Sequence, residues 1–216
     1  MNFLKDISCA IFDLDGTLIQ SISTWRHVDM HFMEKRGLPI PDDFYDRVSA
    51  MNLAQAADYV IAECGVKSTR DEVMNEWLSM LEYEYSEIIP MVDGAKEFIT
   101  ALHSAGVKIA LATASRPELY HPCLERHGVA EFFDAFVTTA EVERQKGYPD
   151  VYLLAAEKVG VNPDKCAVFE DIYPGCIGAK AAGMYCVGVL EEHSRDDWDD
   201  MTKICDMVIR DYTELL

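Results

Sequence analysis

The sequence predicts an α/β protein whose core is a doubly wound, Rossmann-like parallel sheet, with an inserted all-helical cap domain. Short apolar runs bounded by Gly, Pro or charged residues recur along the chain. Continuous apolarity of this kind is typical of strands that are buried on both faces. Amphipathic segments lie between the runs, and alternation of buried strands with helices predicts parallel strands. One early stretch has helical periodicity without a strand pattern, which predicts the insertion.

Five apolar runs are the predicted strands, namely residues 8–12, 107–113, 135–139, 166–170 and 184–189. Four segments with apolar residues at i, i+3 and i+4 are the predicted core helices, namely residues 95–104, 117–127, 150–159 and 174–182. A glycine follows each of them where a helix C-cap is expected. These glycines are Gly106, Gly128, Gly160 and Gly183.

The predicted insertion follows the first strand directly. It contains three periodic segments, "SISTWRHVDMHFMEKRG", "LAQAADYVIAECG" and "TRDEVMNEWLSMLEYEYSEII". We therefore expect a core domain of residues 1–17 and 91–216 and a helical cap of residues 18–90. An insertion at this point belongs beside the carboxyl ends of the strands, where open α/β sheets bind ligands.

Net charge, the N-terminal apolar run and the cysteine pattern indicate which kinds of binding partner and which location to expect. The chain of 216 residues has a formal net charge of −19, and nucleic-acid binding depends on Lys and Arg, so we expect no nucleic-acid partner. The apolar run at the N-terminus is too short for a signal peptide or a membrane span, so we expect no membrane partner. The seven cysteines are scattered without a C-x-x-C pair, which indicates reduced core residues. We expect a cytoplasmic monomer or weak dimer.

Polar side chains follow four of the predicted strands. Because the carboxyl ends of parallel strands meet at one edge of a sheet, these side chains are expected to converge. They are Asp13 and Asp15 after the first strand, Thr113 and Ser115 after the second, Lys146 after the third, and Glu170 and Asp171 after the fourth.

Four carboxylates in one crevice predict a bound cation. Unit charges about 4 Å apart interact by about 4 kcal/mol at an effective dielectric of 20, so the carboxylates would repel each other strongly. Mg²⁺ prefers oxygen ligands and is commonly held by carboxylates together with substrate phosphate. The Lys146 ammonium and the Thr113 hydroxyl are suited to the remaining phosphoryl oxygens.

These groups are suited to phosphoryl transfer, in which a protein mainly positions the group and neutralises its charge. A carboxylate can act as the nucleophile and form an aspartyl-phosphate. A second carboxylate can protonate the leaving alkoxide and later deprotonate water. Asp13 and Asp15 have the spacing for this division of labour, and Gly16 allows the chain to turn sharply after them.

Four motifs carry a resemblance to a known family. In order and spacing, "DLDGT", "LATAS", "KGYPD" and "EDIYPGCIGAKAAGM" resemble the motifs of the haloacid dehalogenase superfamily. The helical insertion resembles the cap of its beta-phosphoglucomutase and phosphoglycolate phosphatase branch. The similarity covers essentially the whole chain.

The resemblance implies a role for each candidate residue. Asp13 would be the nucleophile and Asp15 the acid and base. Substrate phosphate would be bound by Thr113, Ala114 and Lys146, and Mg²⁺ would be held by Asp13, Asp15, Glu170 and Asp171. The implied activity is a Mg²⁺-dependent phosphatase acting on a small phosphorylated metabolite, such as a sugar phosphate.

Departures from the family pattern bear on the type of reaction. The dehalogenases lack the second aspartate, so Asp15 favours phosphate chemistry. The phosphonate-cleaving relatives use a cap lysine, whereas Lys35 and Lys67 are predicted on a solvated helix end and in a loop. The mutase has a histidine and an arginine in its cap where our alignment places Trp25 and Leu53, and the loop "SAMNLAQAA" is apolar. We favour a phosphatase; a phosphomutase, or less readily a non-catalytic phosphate-binding or regulatory protein, remains an alternative.

Other patterns have simpler interpretations. An EF-hand beginning at Asp13 needs a ligand, Gly and Glu at its fifth, sixth and twelfth positions, which here are Thr17, Leu18 and Thr24. Calcium binding is therefore disfavoured. His27, His31 and Glu34 share one helix face and are interpreted as a solvated face rather than metal ligands.

Three further segments are expected to be structural. Ser115 is predicted to be the N-cap of the helix that follows it. Trp25 is predicted to pack within the cap, with a position facing the substrate as the alternative. The acidic segment "EEHSRDDWDD" is predicted to be a solvated loop.

Overall fold

The computed structural model of the protein describes residues 6–48, 51 and 53–216. The chain divides into two compact units, one formed by residues up to Ile22 together with Ile89–Leu216 and the other by Ser23–Ile88. Two segments of the first unit, one before and one after the helical unit in sequence, pair with each other. Ile19 forms an isolated antiparallel bridge with Met91. The Gln20 N–H donates to the carbonyl of Pro90 at 3.0 Å.

The core unit is built on one parallel sheet, which confirms the predicted fold class. Its strands are Cys9–Phe12 (β1), Lys108–Thr113 (β2), Ala135–Thr138 (β3), Cys166–Glu170 (β4), Tyr185–Val189 (β5) and Met207–Ile209 (β6). The strand order is β3-β2-β1-β4-β5-β6, and every neighbouring pair is parallel. The direction of winding therefore reverses between β1 and β4, the position at which such sheets bind ligands.

The described residues form nine helices, of which all but Phe44–Val48 and Trp198–Ile204 match predicted helical segments. In chain order they are Thr24–Glu34 (α1), Phe44–Val48 (α2), Leu53–Glu63 (α3), Arg70–Tyr83 (α4), Ala95–Ser104 (α5), Pro117–His127 (α6), Asp150–Val159 (α7), Tyr173–Ala181 (α8) and Trp198–Ile204 (α9). Gly128 and Gly160 adopt the left-handed conformation as C-caps of α6 and α7, as predicted.

The sheet is covered on both faces, which explains why its central strands are apolar throughout. On one face, Ile11 and Val168 join a buried cluster with residues of α7 and α8. On the other face, the rings of Phe12 and Phe169 stack with centroids 4.6 Å apart, and Phe98 of α5 packs against both. Removal of this apolar surface from water stabilises the core.

Two elements near the C-terminus were not predicted. The edge strand β6 has three residues, too few for a clear apolar run. The prediction of a solvated loop over "EEHSRDDWDD" was wrong, because Glu192–Asp197 forms a 3₁₀ helix and α9 begins at Trp198. The Trp198 indole N–H donates to the carbonyl of Glu191 at 2.9 Å, which links the two ends of the 3₁₀ helix.

The second unit is entirely helical within its described residues. Phe32 of α1 packs against Trp77 of α4 with ring centroids 5.2 Å apart. A π-helix, Glu84–Ile88, extends α4. Trp25, for which packing within the cap and a position facing the substrate were the two alternatives, has 45% of its surface exposed and is therefore not part of the buried core. Three residues of the loop "SAMNLAQAA", at positions 49, 50 and 52, lie outside the described residues, and Leu53 begins α3.

One face of α1 is exposed, in agreement with the prediction that it is a solvated face. His27, His31 and Glu34 are all exposed. Within the part of the chain that the structure describes, no helix combines the length and the apolar character needed to cross a membrane.

Candidate active site

The candidate site lies where the winding of the sheet reverses. The Asp13 N–H donates to the carbonyl of Phe169 at 3.0 Å, so the β1–β4 ladder continues one residue beyond β1. Glu170 is the last residue of β4. Two adjacent parallel strands therefore end in carboxylates at the same level, which is the convergence that the strand pattern predicted.

Three carboxylates form a compact buried cluster. One oxygen from each of Asp13, Glu170 and Asp171 lies within 4.8 Å of the others. Asp13 is 5% exposed, Glu170 0% and Asp171 2%. We call these three residues the carboxylate cluster.

Lys146 places an ammonium group against the carboxylate cluster. Its Nζ forms an ion pair with Asp13 and donates to Glu170 Oε1 at 2.6 Å. The loop that carries Lys146 packs closely on α8, where a Cβ at Gly178 would lie 2.7 Å from the carbonyl oxygen of Tyr148. A glycine in α8 therefore allows this loop to deliver the lysine.

Burial and charge shift the pKa values of these groups. Burial raises the pKa of Asp13 well above its usual range, although Lys146 opposes this effect. Burial and the neighbouring Glu170 raise the pKa of Asp171 to about 7, against the lowering effects of Lys146 and the Thr17 hydroxyl. Burial disfavours the Lys146 ammonium, but Asp13 and Glu170 outweigh burial and raise its pKa. One ammonium does not balance three buried carboxylates, so the cluster is suited to a further cation.

The donor set fits a hard divalent cation such as Mg²⁺. Glu170 Oε2 is buried and has no hydrogen-bond partner among the described residues. A buried carboxylate oxygen without a partner is costly unless a ligand occupies its free lone pairs. Because all the clustered donors are carboxylate oxygens, the chemistry matches the ligand preference of Mg²⁺.

Asp15 has a different environment from Asp13. Its carboxylate is partly exposed and accepts two side-chain hydrogen bonds, from Ser21 at 2.6 Å and from Ser115 at 2.5 Å. The Asp15 side chain therefore contacts hydroxyl groups, whereas the carboxylate cluster is formed by the other three predicted metal ligands.

Gly16 directly follows Asp15 and packs against Asp171 of the carboxylate cluster. It has a φ of +81°, and a Cβ there would lie 2.8 Å from Cγ of Asp171. Both the backbone conformation and the packing therefore require glycine after Asp15. This agrees with the sharp turn predicted from the motif.

The segment after β2 carries the predicted phosphate-binding residues. Thr113 ends β2 and is buried, whereas Ala114 is exposed. The Ser115 N–H donates to Thr113 Oγ1 at 2.9 Å, which orients the hydroxyl. The prediction that Ser115 is an N-cap was wrong: Arg116 occupies that position, and the Ser115 hydroxyl donates to Asp15 instead.

With this geometry described, we compared the chain with known proteins. A model of the haloacid dehalogenase-like hydrolases matches residues 7–183. The chain belongs to the haloacid dehalogenase-like hydrolase family. The family predicted from the four motifs is therefore confirmed, and the protein is a hydrolase of that family.

Several relatives of this haloacid dehalogenase-like hydrolase are named phosphatases. It is 30% identical over 191 residues to fructose-1-phosphate phosphatase YqaB of Escherichia coli (strain K12), covering 83% of this chain and 94% of that protein. It is 28% identical to hexitol phosphatase B of the same organism, covering 91% of this chain and 90% of that protein. It is also 26% identical to beta-phosphoglucomutase of Bacillus subtilis (strain 168), with coverage of 85% and 83%.

Solved structures support the fold of this hydrolase. The crystal structure of CbbY from Rhodobacter sphaeroides in complex with phosphate superimposes with a TM-score of 0.76. The sequences are 20% identical, and the alignment covers 97% of this chain and 96% of CbbY. At this level of identity the similarity shows the fold alone.

Sequence reasoning missed several residues that contact the site of this haloacid dehalogenase-like hydrolase. The Thr17 hydroxyl donates to Asp171 at 3.0 Å, and the Tyr152 hydroxyl donates to Glu170 Oε1 at 2.8 Å. Ser21 contacts Asp15, as described above. Thr17 belongs to the "DLDGT" motif and could have been included on that ground. Tyr152 is an ordinary buried residue of α7, and no sequence signal separates it from a packing tyrosine.

Proposed function

We propose that this haloacid dehalogenase-like hydrolase is a Mg²⁺-dependent phosphatase that hydrolyses a small phosphomonoester through an aspartyl-phosphate intermediate. One observation carries this proposal. The carboxylate cluster and Lys146 lie at the same site as another aspartate, Asp15, which has a different environment. One aspartate is buried among charged groups, and the other is held by hydroxyl groups. Two carboxylates in contrasting environments are suited to contrasting chemical roles.

In the first step, a carboxylate oxygen of Asp13 attacks phosphorus. A bond forms between this oxygen and phosphorus, and the bond from phosphorus to the leaving oxygen breaks. Asp15, acting as the acid, gives its proton to the leaving oxygen. The products of this step are the free alcohol and phosphorylated Asp13.

In the second step, Asp15 acts as the base and takes a proton from water. The water oxygen forms a bond to phosphorus while the bond to Asp13 breaks, which releases phosphate and restores both carboxyl groups. Ser21 and Ser115 orient the Asp15 side chain, because each of its two oxygens accepts a bond from one of these hydroxyls.

The proposed metal ligands are Asp13, Glu170 and Asp171, with Asp15 as the fourth member of the predicted set. When bound, Mg²⁺ supplies positive charge that neutralises the phosphoryl oxygens and the carboxylates. Lys146, Thr113 and Ala114 are proposed to bind the remaining phosphoryl oxygens. Lys146 already contacts Asp13, so its ammonium lies beside the carboxylate proposed to be phosphorylated.

The proposed substrate class is sugar phosphates and similar phosphorylated metabolites. Its support comes from relatives named for hexitol and fructose-1-phosphate phosphatase activities. The similarity to a beta-phosphoglucomutase supports phosphomutase activity as the second candidate. Trp25 and Leu53 stand where our alignment expects the mutase's polar cap residues, which favours hydrolysis over transfer to a sugar.

Selection of the substrate is assigned to the predicted cap, residues 18–90.

We also propose a cytoplasmic location, because all seven cysteines are free thiols. The monomer or weak dimer remains a prediction, which light scattering on the purified protein would test.

The central test is Asp13→Asn, with Asp164→Asn at an exposed position as the matched control. Phosphate release is measured with Mg²⁺ across a panel of sugar phosphates and with p-nitrophenyl phosphate. We expect Asp13→Asn to lose activity by about 10³-fold or more while its circular dichroism spectrum is unchanged. We also expect mass spectrometry of acid-quenched wild-type protein to find phosphate on Asp13.

Wild-type turnover by Asp13→Asn would overturn the mechanism. Isomerised sugar phosphate with negligible phosphate release would replace the phosphatase by the mutase. No activity of either kind across the panel would favour a non-catalytic phosphate-binding protein.

A further inference from the structure

Three cysteines that are distant in sequence converge at a second location in the core unit. They are Cys176 of α8, Cys186 of β5 and Cys205, which directly follows α9. Their sulfur atoms all lie within 4.8 Å of one another, and those of Cys186 and Cys205 are 3.7 Å apart. We call these residues the thiol cluster.

The fold holds the thiol cluster through a hydrogen-bonded carboxylate. Asp206 follows Cys205 and accepts a bond from the Cys186 N–H at 2.8 Å. The Lys180 ammonium donates to both oxygens of Asp206, at 2.8 and 2.6 Å. Asp206 thus ties the segment that carries Cys205 to β5 and to α8. Contacts of this kind around a metal site orient the ligands themselves.

Gly188 of β5 leaves room for the third sulfur. A Cβ at this position would lie 3.1 Å from Cys205 Sγ and 3.2 Å from Cγ1 of Val208. Any larger residue would therefore press on the Cys205 sulfur.

The three thiols differ in burial. Cys176 and Cys186 are fully buried, whereas Cys205 is only partly buried. Cysteine binds metals as the thiolate, so the ligands must lose their protons on binding.

We propose that the thiol cluster binds one thiophilic metal ion, such as Zn²⁺ or Cu⁺, separately from the carboxylate cluster. Three sulfur donors select soft or borderline ions, whereas Mg²⁺ requires oxygen ligands. Each thiol that is protonated releases its proton as its metal–sulfur bond forms. With three protein ligands, Zn²⁺ would complete a tetrahedral site with a fourth ligand from solvent, whereas Cu⁺ can be held by the three sulfurs alone.

The test uses the reduced, full-length protein, stripped of metal and kept in excess Mg²⁺. Cd²⁺ is added as a spectroscopic substitute for Zn²⁺, and the ultraviolet charge-transfer band of a thiolate–metal bond is followed. Carboxylates give no such band, so the signal reports thiolate ligands, and cysteine variants then assign it to the thiol cluster. Displacement of the bound Cd²⁺ by Zn²⁺, and separately by Cu⁺ held in a chelator, then gives the relative affinities of the two ions.

Cys205→Ser is the principal variant, because a partly exposed site tolerates the change from thiol to hydroxyl. Cys123→Ser, at a buried cysteine of α6 outside the cluster, is the matched control. We expect the wild type and Cys123→Ser to bind one ion per chain, and Cys205→Ser to lose affinity by more than about 100-fold. Circular dichroism without metal checks that all three proteins fold.

A wild-type protein with no thiolate band would overturn the proposal, and so would a Cys205→Ser variant that binds as the wild type does. If Cys205→Ser fails to fold, Gly188→Val replaces it, since the added side chain should displace Cys205 and weaken binding in the same assay. Phosphatase activity is not the readout, so the outcome is independent of the proposed function.

Discussion

The hydroxyl group of Ser115 donates a 2.5 Å hydrogen bond to Oδ2 of Asp15, across 100 residues of sequence. On the other carboxylate oxygen, Ser21 donates at 2.6 Å. The two bonds leave Asp15 little freedom to rotate. The carboxylate of Asp15, the proposed acid and base, is therefore held by two hydroxyl groups. The sequence motifs gave neither hydroxyl this role.

Ser115→Ala removes one of these bonds and should impair proton transfer by Asp15. We expect kcat for a sugar phosphate to fall by about 10-fold, a fraction of the contribution that general acid catalysis makes in total. Phosphorylation of Asp13 by p-nitrophenyl phosphate should be affected much less, because that leaving group needs no proton, whereas the later hydrolysis uses Asp15 as the base with either substrate. Rapid-quench measurement of the first turnover with both substrates isolates this difference.

Two variants serve as references for Ser115. Ser115→Thr keeps the hydroxyl and should recover part of the lost rate, and Ser104→Ala changes an exposed serine at the end of α5. If Ser115→Ala is phosphorylated by the sugar phosphate as fast as the wild type, a positioning role for this hydroxyl is contradicted.

Tyr152→Phe removes the bond to Glu170 Oε1 and leaves the aromatic ring in place. Because outer hydrogen bonds orient metal ligands, we expect Mg²⁺ to bind about 10-fold more weakly. Calorimetric titration with Mg²⁺ alone measures this directly. At saturating Mg²⁺, kcat should recover to near the wild-type value.

The matched control is Tyr120→Phe, at another buried tyrosine in α6. If Tyr152→Phe and Tyr120→Phe bind Mg²⁺ equally well, Tyr152 serves packing and not the metal site.

Gly175→Ala should displace Glu170. An added Cβ would lie 2.5 Å from Glu170 Oε2 and 2.7 Å from Oε1, in the space that the carboxylate occupies. We expect the variant to lose most of its Mg²⁺ affinity and activity and to unfold at a lower temperature. Calorimetric titration and thermal unfolding measure the two effects.

Gly147→Ala is the corresponding reference, because its added Cβ would contact only Pro174, at 4.0 Å. A Gly175→Ala protein with wild-type affinity for Mg²⁺ would show that Glu170 does not hold the metal.

Asp29 should make the stability of the protein depend on pH. Burial in α1 raises its pKa from 3.8 to about 7. Between these values the folded state holds a proton that the unfolded state has released, so stability falls as pH rises from about 4 to about 7. Asp29→Asn removes this penalty and should stabilise the protein at pH 8 by on the order of 2 kcal/mol relative to the wild type.

Urea unfolding at pH 5 and pH 8 measures this effect for the wild type and the variant. Glu34→Gln, at an exposed position of the same helix, should leave the pH dependence unchanged. If Asp29→Asn gives the same difference from the wild type at both pH values, Asp29 does not titrate between them.

Local patterns account for most of the elements that sequence reasoning found. The helix 95–104 was predicted with the bounds that the structure has, because a Gly ends it and its apolar face is regular. The strand β6 was missed because three residues, of which two are half-buried and one is buried, form no distinct pattern. The exposure of Trp25 could not be predicted, because apolar spacing identifies a helix face but not whether each residue on that face is covered.

The sequence by itself determined the alternation of strands and helices, the family, and the order of the candidate residues at the strand ends. These depend on side-chain periodicity and on motifs that are contiguous in the chain. Only the tertiary structure decided that Ser115 serves Asp15 rather than a helix N-terminus. It also decided that Tyr152 contacts Glu170 and that three scattered cysteines meet. Contacts between residues far apart in sequence depend on how strands and helices pack, and no local pattern encodes that packing.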